Sequence, residues 1–213
     1  NASVIEGIRA VKDATEIEKI RQACRKTDRA FKAVVSLIRP GMTEKRLRAE
    51  LEQHLIAQEI EKLAFDTIIA SGPNGAFAHA KPCDRKIRNG DFIVMDFGVR
   101  TGGYHSDMTR TVFVGKPSKE DVRRYNAVND ARKKAFDLAE NSIRTADLDS
   151  AARGVLESAG LGELFIHGLG HGVGLEVHEQ PRLSRVSKER LEPGMVFTIE
   201  PGVYEEGWGG IRI

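Results

Sequence analysis

Three histidines, His167, His171 and His178, fall within the stretch IHGLGHGVGLEVHE that runs from Ile166 to Glu179, with glycine at Gly168, Gly170, Gly172 and Gly174. Imidazole is the commonest nitrogen ligand for metal ions and a proton carrier near neutral pH. The glycines, lacking side chains, are expected to let the backbone approach something bound there. A metal site also needs anionic partners. Asp96 follows the apolar run Phe92-Ile93-Val94-Met95, where a carboxylate is costly unless it is paired or bound to a metal. Glu200 ends a second apolar run and is followed at once by Pro201-Gly202. A turn at Thr101-Gly102-Gly103 would fold Asp107 back to within about one or two residues of the position opposite Asp96. The bland alternative is a surface pair of Asp107 with Arg110. Facing carboxylates repel, and a divalent cation between them is the usual remedy. One imidazole and three carboxylates suit Mn²⁺, Co²⁺, Fe²⁺ or Zn²⁺, and bridging carboxylates point to two ions about 3.5–4 Å apart.

These residues need elements to carry them. Apolar spacing predicts a helix over Asp13–Ile38 ended by Pro40-Gly41, and a second from Thr43 as cap to Ala57. Phe65–Ser71 reads as a strand, Phe92–Arg100 and Tyr104–Val114 as a hairpin, Lys119–Ile143 and Ala146–Ala159 as helices, and Met195–Glu200 as a strand. A repeat lies within this order. NGDFIVMDFGV from Asn89 aligns with PGMVFTIEPGV from Pro193 at an offset of 104, placing Asp96 over Glu200, and RAFKAVVSLIRPG from Arg29 aligns with KAFDLAENSIRTA from Lys134 at an offset of 105. Two α+β halves related by a pseudo-twofold would bring both acids to a shared centre.

Composition excludes several classes. Basic and acidic residues nearly cancel, at 33 against 31, and aromatics are only 6% of the 213 residues, which argues against a nucleic-acid surface. Apolar runs such as Ala33-Val34-Val35 are too short to span a membrane, and no signal-peptide pattern opens the chain. Cys24 and Cys83 lack C-x-x-C spacing and read as reduced thiols of a cytoplasmic protein. Asn1-Ala2 reads as a tag remnant on a cut-out of a longer protein.

IHGLGHGVGLEVHE, VMDFG, HSDMTRT, FTIEPGVY and GGIRI, with the opening IRAVKDATEIEKIRQA, resemble the catalytic domain of the Xaa-Pro peptidases, aminopeptidase P and prolidase, within the methionine aminopeptidase family. The resemblance implies the pita-bread fold, a duplicated α+β domain covering residues 13–213, with residues 1–12 as a linker from a further N-terminal domain. It implies that Asp96, Asp107, His171 and Glu200 hold two divalent ions, Mn²⁺ or Co²⁺ first and Zn²⁺ or Fe²⁺ next, with Asp107 bridging. His79, His167, His178 and Arg212 match substrate-contacting or supporting positions, with Glu200, His178 and His79 in catalytic roles. The expected substrate is a peptide with proline in second position, and the expected assembly a homodimer. Family members carry a second bridging glutamate directly after the pair that is Arg212-Ile213 here, where this sequence stops, so this piece is expected to be impaired. Ala78 stands where many relatives have proline. His105 is expected to support the site or to be partly solvated, and His54 to be solvated. A methionine aminopeptidase, a metal-free amidinohydrolase of the creatine type, or an inactive peptide-binding module are the alternatives; the four ligands argue against the amidinohydrolase.

Overall fold

Asp13 caps a helix reciprocally: its side chain accepts from the Thr15 and Glu16 amides, and the Glu16 carboxylate accepts from the Asp13 amide at 2.8 Å. The computed structural model describes residues 2–213, so Asn1 of the expected tag remnant lies outside the described residues. The expected linker is in part a helix, α1 (Ala2–Ala10), followed by α2 (Ala14–Val35) and the Thr43-capped α3 (Glu44–Ile56). Helix α2 ends at Val35, short of Ile38, in a tightened turn where the Leu37 amide donates to the Val34 carbonyl at 2.9 Å. Next come β1 (Lys62–Leu63) and β2 (Ile68–Ser71), then β3 (Phe92–Phe97), β4 (Val99–Thr101), β5 (Tyr104–His105) and β6 (Met108–Phe113). The expected hairpin is therefore split between two sheets, β2-β3-β6 and β1-β4-β5, both antiparallel. Gly98 makes the break: a Cβ there would lie 2.1 Å from the Ser106 carbonyl oxygen.

The second half opens with α4 (Lys119–Leu138) and α5 (Thr145–Ser158). Helix α4 ends before Ile143 in a turn where Ser142 adopts a φ of 68°. The pairs β7 (Gly170–Gly172) with β8 (Glu179–Leu183), and β9 (Gly202–Glu205) with β10 (Gly209–Arg212), complete the chain. Met195–Glu200 is not a regular strand. It follows the 169–173 segment through Val173 N–H to Val196 O (3.0 Å), Thr198 N–H to His171 O (2.8 Å) and Glu200 N–H to Leu169 O (2.8 Å), with only isolated bridges. Pro193 and Pro201, which have no N–H to give a ladder, bound it.

The halves repeat in backbone bonding. Glu44 N–H donates to Arg85 O (3.1 Å) as Thr145 N–H does to Glu189 O (3.0 Å), and Thr43 bridges Lys86 as Arg144 bridges Arg190. Each half has its own core. Leu47, Leu51, Ile69, Ile93 and Met95 centre the first, and Leu148, Leu156, Leu169, Leu183 and Val203 the second. Phe92 of β3 packs in the second core, edge-on to Phe113 and Trp208, and the Thr111 hydroxyl bonds both the carbonyl and the amide of Arg212. The two α+β halves expected from the repeat, and the pita-bread fold that the resemblance implies, are the observed arrangement.

Candidate active site

In the β3–β6 ladder Asp96 faces Thr109, which leaves Asp107 two residues past the opposing position, as the hairpin geometry predicted. From the other half come His171 on β7 and Glu200 at the end of the irregular segment. His171 Nε2 lies 3.1 Å from Glu200 Oε1 and 3.4 Å from Asp107 Oδ2. Its Nδ1 meets the Gly172 carbonyl at 2.9 Å, and since a carbonyl only accepts, Nδ1 carries the proton and Nε2 is aimed at the acids. Thr198 steadies Glu200 by donating to Oε1 at 2.9 Å.

Asp96 stands apart from that cluster. Its Oδ2 accepts from Arg212 Nη2 at 2.5 Å, while its Oδ1 is buried without a hydrogen-bond partner. Arg212 also reaches Thr109 Oγ1 (3.1 Å), the Ala78 carbonyl (3.1 Å) and the Tyr204 hydroxyl (3.0 Å), and its Nε is 3.8 Å from Glu200 Oε2. His167 is pinned by Gly168 O on Nδ1 (2.7 Å) and by the Tyr204 hydroxyl on Nε2 (2.9 Å). Burial holds His167 below the usual histidine range, so the ring is neutral and the hydroxyl donates to Nε2. His178 packs edge-on against His171 with ring centroids 4.2 Å apart, and one donor atom from each of Asp107, His171 and His178 lies within 4.8 Å of the other two. His79 is exposed and joins these residues around one cavity of about 750 Å³.

The electrostatics are those of a crowded acidic site. Burial pushes Asp96 up to about 7; Arg212 opposes this, and the charges of Asp107 and Glu200 add to it. Burial disfavours a charged His171, but the hydrogen bonds it donates to the Asp107 and Glu200 carboxylates outweigh this and raise the imidazole to about 10. A buried carboxylate oxygen with no donor is costly. With three carboxylates and one correctly oriented imidazole at one cavity, the donor set fits divalent cations.

Several expectations change. The glycines of the histidine stretch do not make room for a bound group. A Cβ at Gly170 would lie 2.2 Å from Thr198 O and one at Gly172 2.0 Å from Gln180 O, so they admit the protein's own backbone. His105 is not solvated; buried, it holds Gly174 O through its backbone N–H (2.8 Å) and Nδ1 (3.1 Å). His54 is half-buried, with Nδ1 on the Glu50 carbonyl (2.8 Å). Arg110 donates to the Thr109 carbonyl (2.8 Å) and makes no ion pair with Asp107 among the described residues. Sequence reasoning missed Tyr204, whose hydroxyl joins His167 to Arg212, and Thr198, whose hydroxyl joins Glu200 to the His171 amide. Their only signal was proximity to Glu200 in FTIEPGVY.

Residues 18–213 match the family model for metallopeptidase family M24. The Xaa-Pro dipeptidase of Pyrococcus furiosus is 43% identical over 210 residues, covering 99% of this chain and 60% of that protein. Among solved structures, the prolidase from Pyrococcus furiosus superposes with a TM-score of 0.97 at 43% identity, covering 99% of this chain and 63% of that one. The X-Pro aminopeptidase from Thermotoga maritima gives 0.96 at 44%, covering 99% and 59%.

Proposed function

This chain belongs to metallopeptidase family M24, and from that premise we propose that it forms the catalytic part of a dinuclear-metal peptidase acting at Xaa-Pro bonds, removing an N-terminal residue or splitting dipeptides. It spans about 60% of the length of the curated relatives it matches, so activity, substrate and assembly of the whole protein are part of the proposal. So is the division into a connecting segment, residues 1–12, and a catalytic domain, residues 13–213. One observation carries the reading: acids from both halves, Asp96 and Asp107 from one and Glu200 from the other, share a cavity with His171.

Asp96, Asp107, His171 and Glu200 are the proposed ligands, with Asp107 bridging, and Mn²⁺ or Co²⁺ the proposed ions. When bound, two such ions acidify water and polarise a carbonyl. Glu200, steadied by Thr198, is the proposed general base that takes the proton of the attacking water and passes it to the leaving nitrogen. His178, exposed at the cavity, donates a hydrogen bond to the oxygen that gains charge during attack. His79 and the neutral His167 line the cavity and orient the peptide. Arg212 holds one Asp96 oxygen and leaves the other free for a cation. Proline's tertiary amide carries no N–H, so recognition must use ring shape and the carbonyl.

The free Cys24 and Cys83 fit a reducing, cytoplasmic setting, and no helix among the described residues is long and apolar enough to cross a membrane. A homodimer completes the proposal. The test is a panel of Xaa-Pro, Xaa-Ala and Met-Ala peptides on the metal-loaded full-length protein that contains this chain. Xaa-Pro cleavage with Xaa-Ala left intact is expected; preference for Met-Ala would move the protein to methionine aminopeptidase, and no cleavage would favour a binding module.

A further inference from the structure

Lys12 is only 4% exposed, although it lies just past the end of α1 and outside the duplicated core. A buried ammonium is costly unless paired. Its Nζ donates to Glu179 Oε1 at 2.6 Å and to the Ala10 carbonyl at 3.2 Å. The other Glu179 oxygen accepts from Arg9 Nη2 (3.0 Å) and the Glu176 amide (3.2 Å). The backbone is cut to fit this cluster: a Cβ at Gly174 would lie 2.5 Å from Glu179 Oε1 and 2.9 Å from Lys12 Cε. Gly174 is fastened from the opposite side, its carbonyl held by His105. Both ends of the 174–179 loop are thus clamped, and His178 is the residue immediately before Glu179.

We propose that Lys12 and Glu179 are positioning residues for His178, so that the segment leading into the catalytic domain sets where that imidazole stands in the cleft. This rests on the peptidase reading above. A ring packed at 4.2 Å against His171 has little room to shift without changing its reach, and a displacement of about 1 Å at a reacting group costs up to ~10² in rate.

The experiment combines turnover with hydrogen exchange on the metal-loaded full-length protein that contains this chain. Lys12→Met should lower kcat on an Xaa-Pro dipeptide by roughly 10- to 100-fold, with KM and metal content nearly unchanged, and should speed exchange in residues 174–179 but not in β3. In a His178→Ala background the same substitution should change kcat by less than about twofold, because its effect passes through His178. Gly174→Ala, which keeps both charges but displaces the pair, should reproduce the Lys12→Met result and serves if Lys12→Met folds poorly. An undiminished kcat in Lys12→Met, or an equal loss with and without His178, would overturn the inference. Failure of the wild-type protein to cleave any Xaa-Pro peptide would instead refute the peptidase reading, while exchange in the loop still reports whether the clamp holds it.

Discussion

The two halves deliver their acids by different means. In the first, Asp96 extends from β3, a strand with β2 on one side and β6 on the other and with Ile93 and Met95 fully buried. In the second, Glu200 ends a half-buried segment that bonds to 169–173 along one edge and borders a cavity of about 590 Å³ lined also by Cys24, Arg132 and Phe136. Equivalent positions in a repeat are therefore not held by equivalent pairing. Where a carboxylate must sit still, the first half uses a closed ladder; the second uses side-chain props, Thr198 on Glu200 and the buried Asp149–Arg153 pair, which binds the Leu169 amide and the Phe165 carbonyl.

If the site needs both halves equally, the chemistry should not follow this difference. Asp107→Asn and Glu200→Gln should each lower turnover by more than the roughly 10²–10³-fold expected for loss of one hydrogen-bond donor, measured on an Xaa-Pro peptide with metal content determined alongside. Near-normal activity of either variant would remove that half from the mechanism.

Stability should follow it. Met95→Ala, in the closed ladder, is expected to cost roughly 2–5 kcal/mol in denaturant unfolding, whereas Ile199→Ala, its counterpart in the repeat, borders a cavity and should cost less than about half of that. Equal losses would mean that the irregular segment is as well packed as the strand.

Proton competition offers a further probe of the shared centre. In the metal-free protein His171, raised to about 10, holds a proton at neutral pH, and Asp96, raised to about 7, binds one as the pH falls below neutrality. A divalent ion must displace these protons, so affinity should rise with pH by about tenfold per unit where one proton is released and more steeply below pH ~7 where a second joins. Calorimetry in buffers of different ionisation enthalpy measures the protons released; affinity independent of pH between about 5.5 and 8 would sink the assignment of His171 as a ligand.

The smallest effect should appear in hydrogen exchange, with amides of Thr198 and Glu200 exchanging at least about tenfold faster than those of Ile93 and Met95. Comparable protection would show that one paired edge is enough.

The features legible in the chain follow mostly from local rules. Helical spacing set α2 and, with the Thr43 cap, α3, a carboxylate after an apolar run marked Asp96, and the repeat paired it with Glu200. Such signals are legible because periodicity and capping act over a few residues. Tertiary structure alone decided that Asp96 turns to Arg212 from a distant strand, that Tyr204 joins His167 to that arginine, that the hairpin splits at Gly98, and that Gly170 and Gly172 make room for neighbouring backbone rather than for a ligand. Each depends on contacts between residues far apart in the chain, and a side chain's own neighbours in sequence carry no information about which distant donor, carbonyl or ring the folded backbone will bring against it.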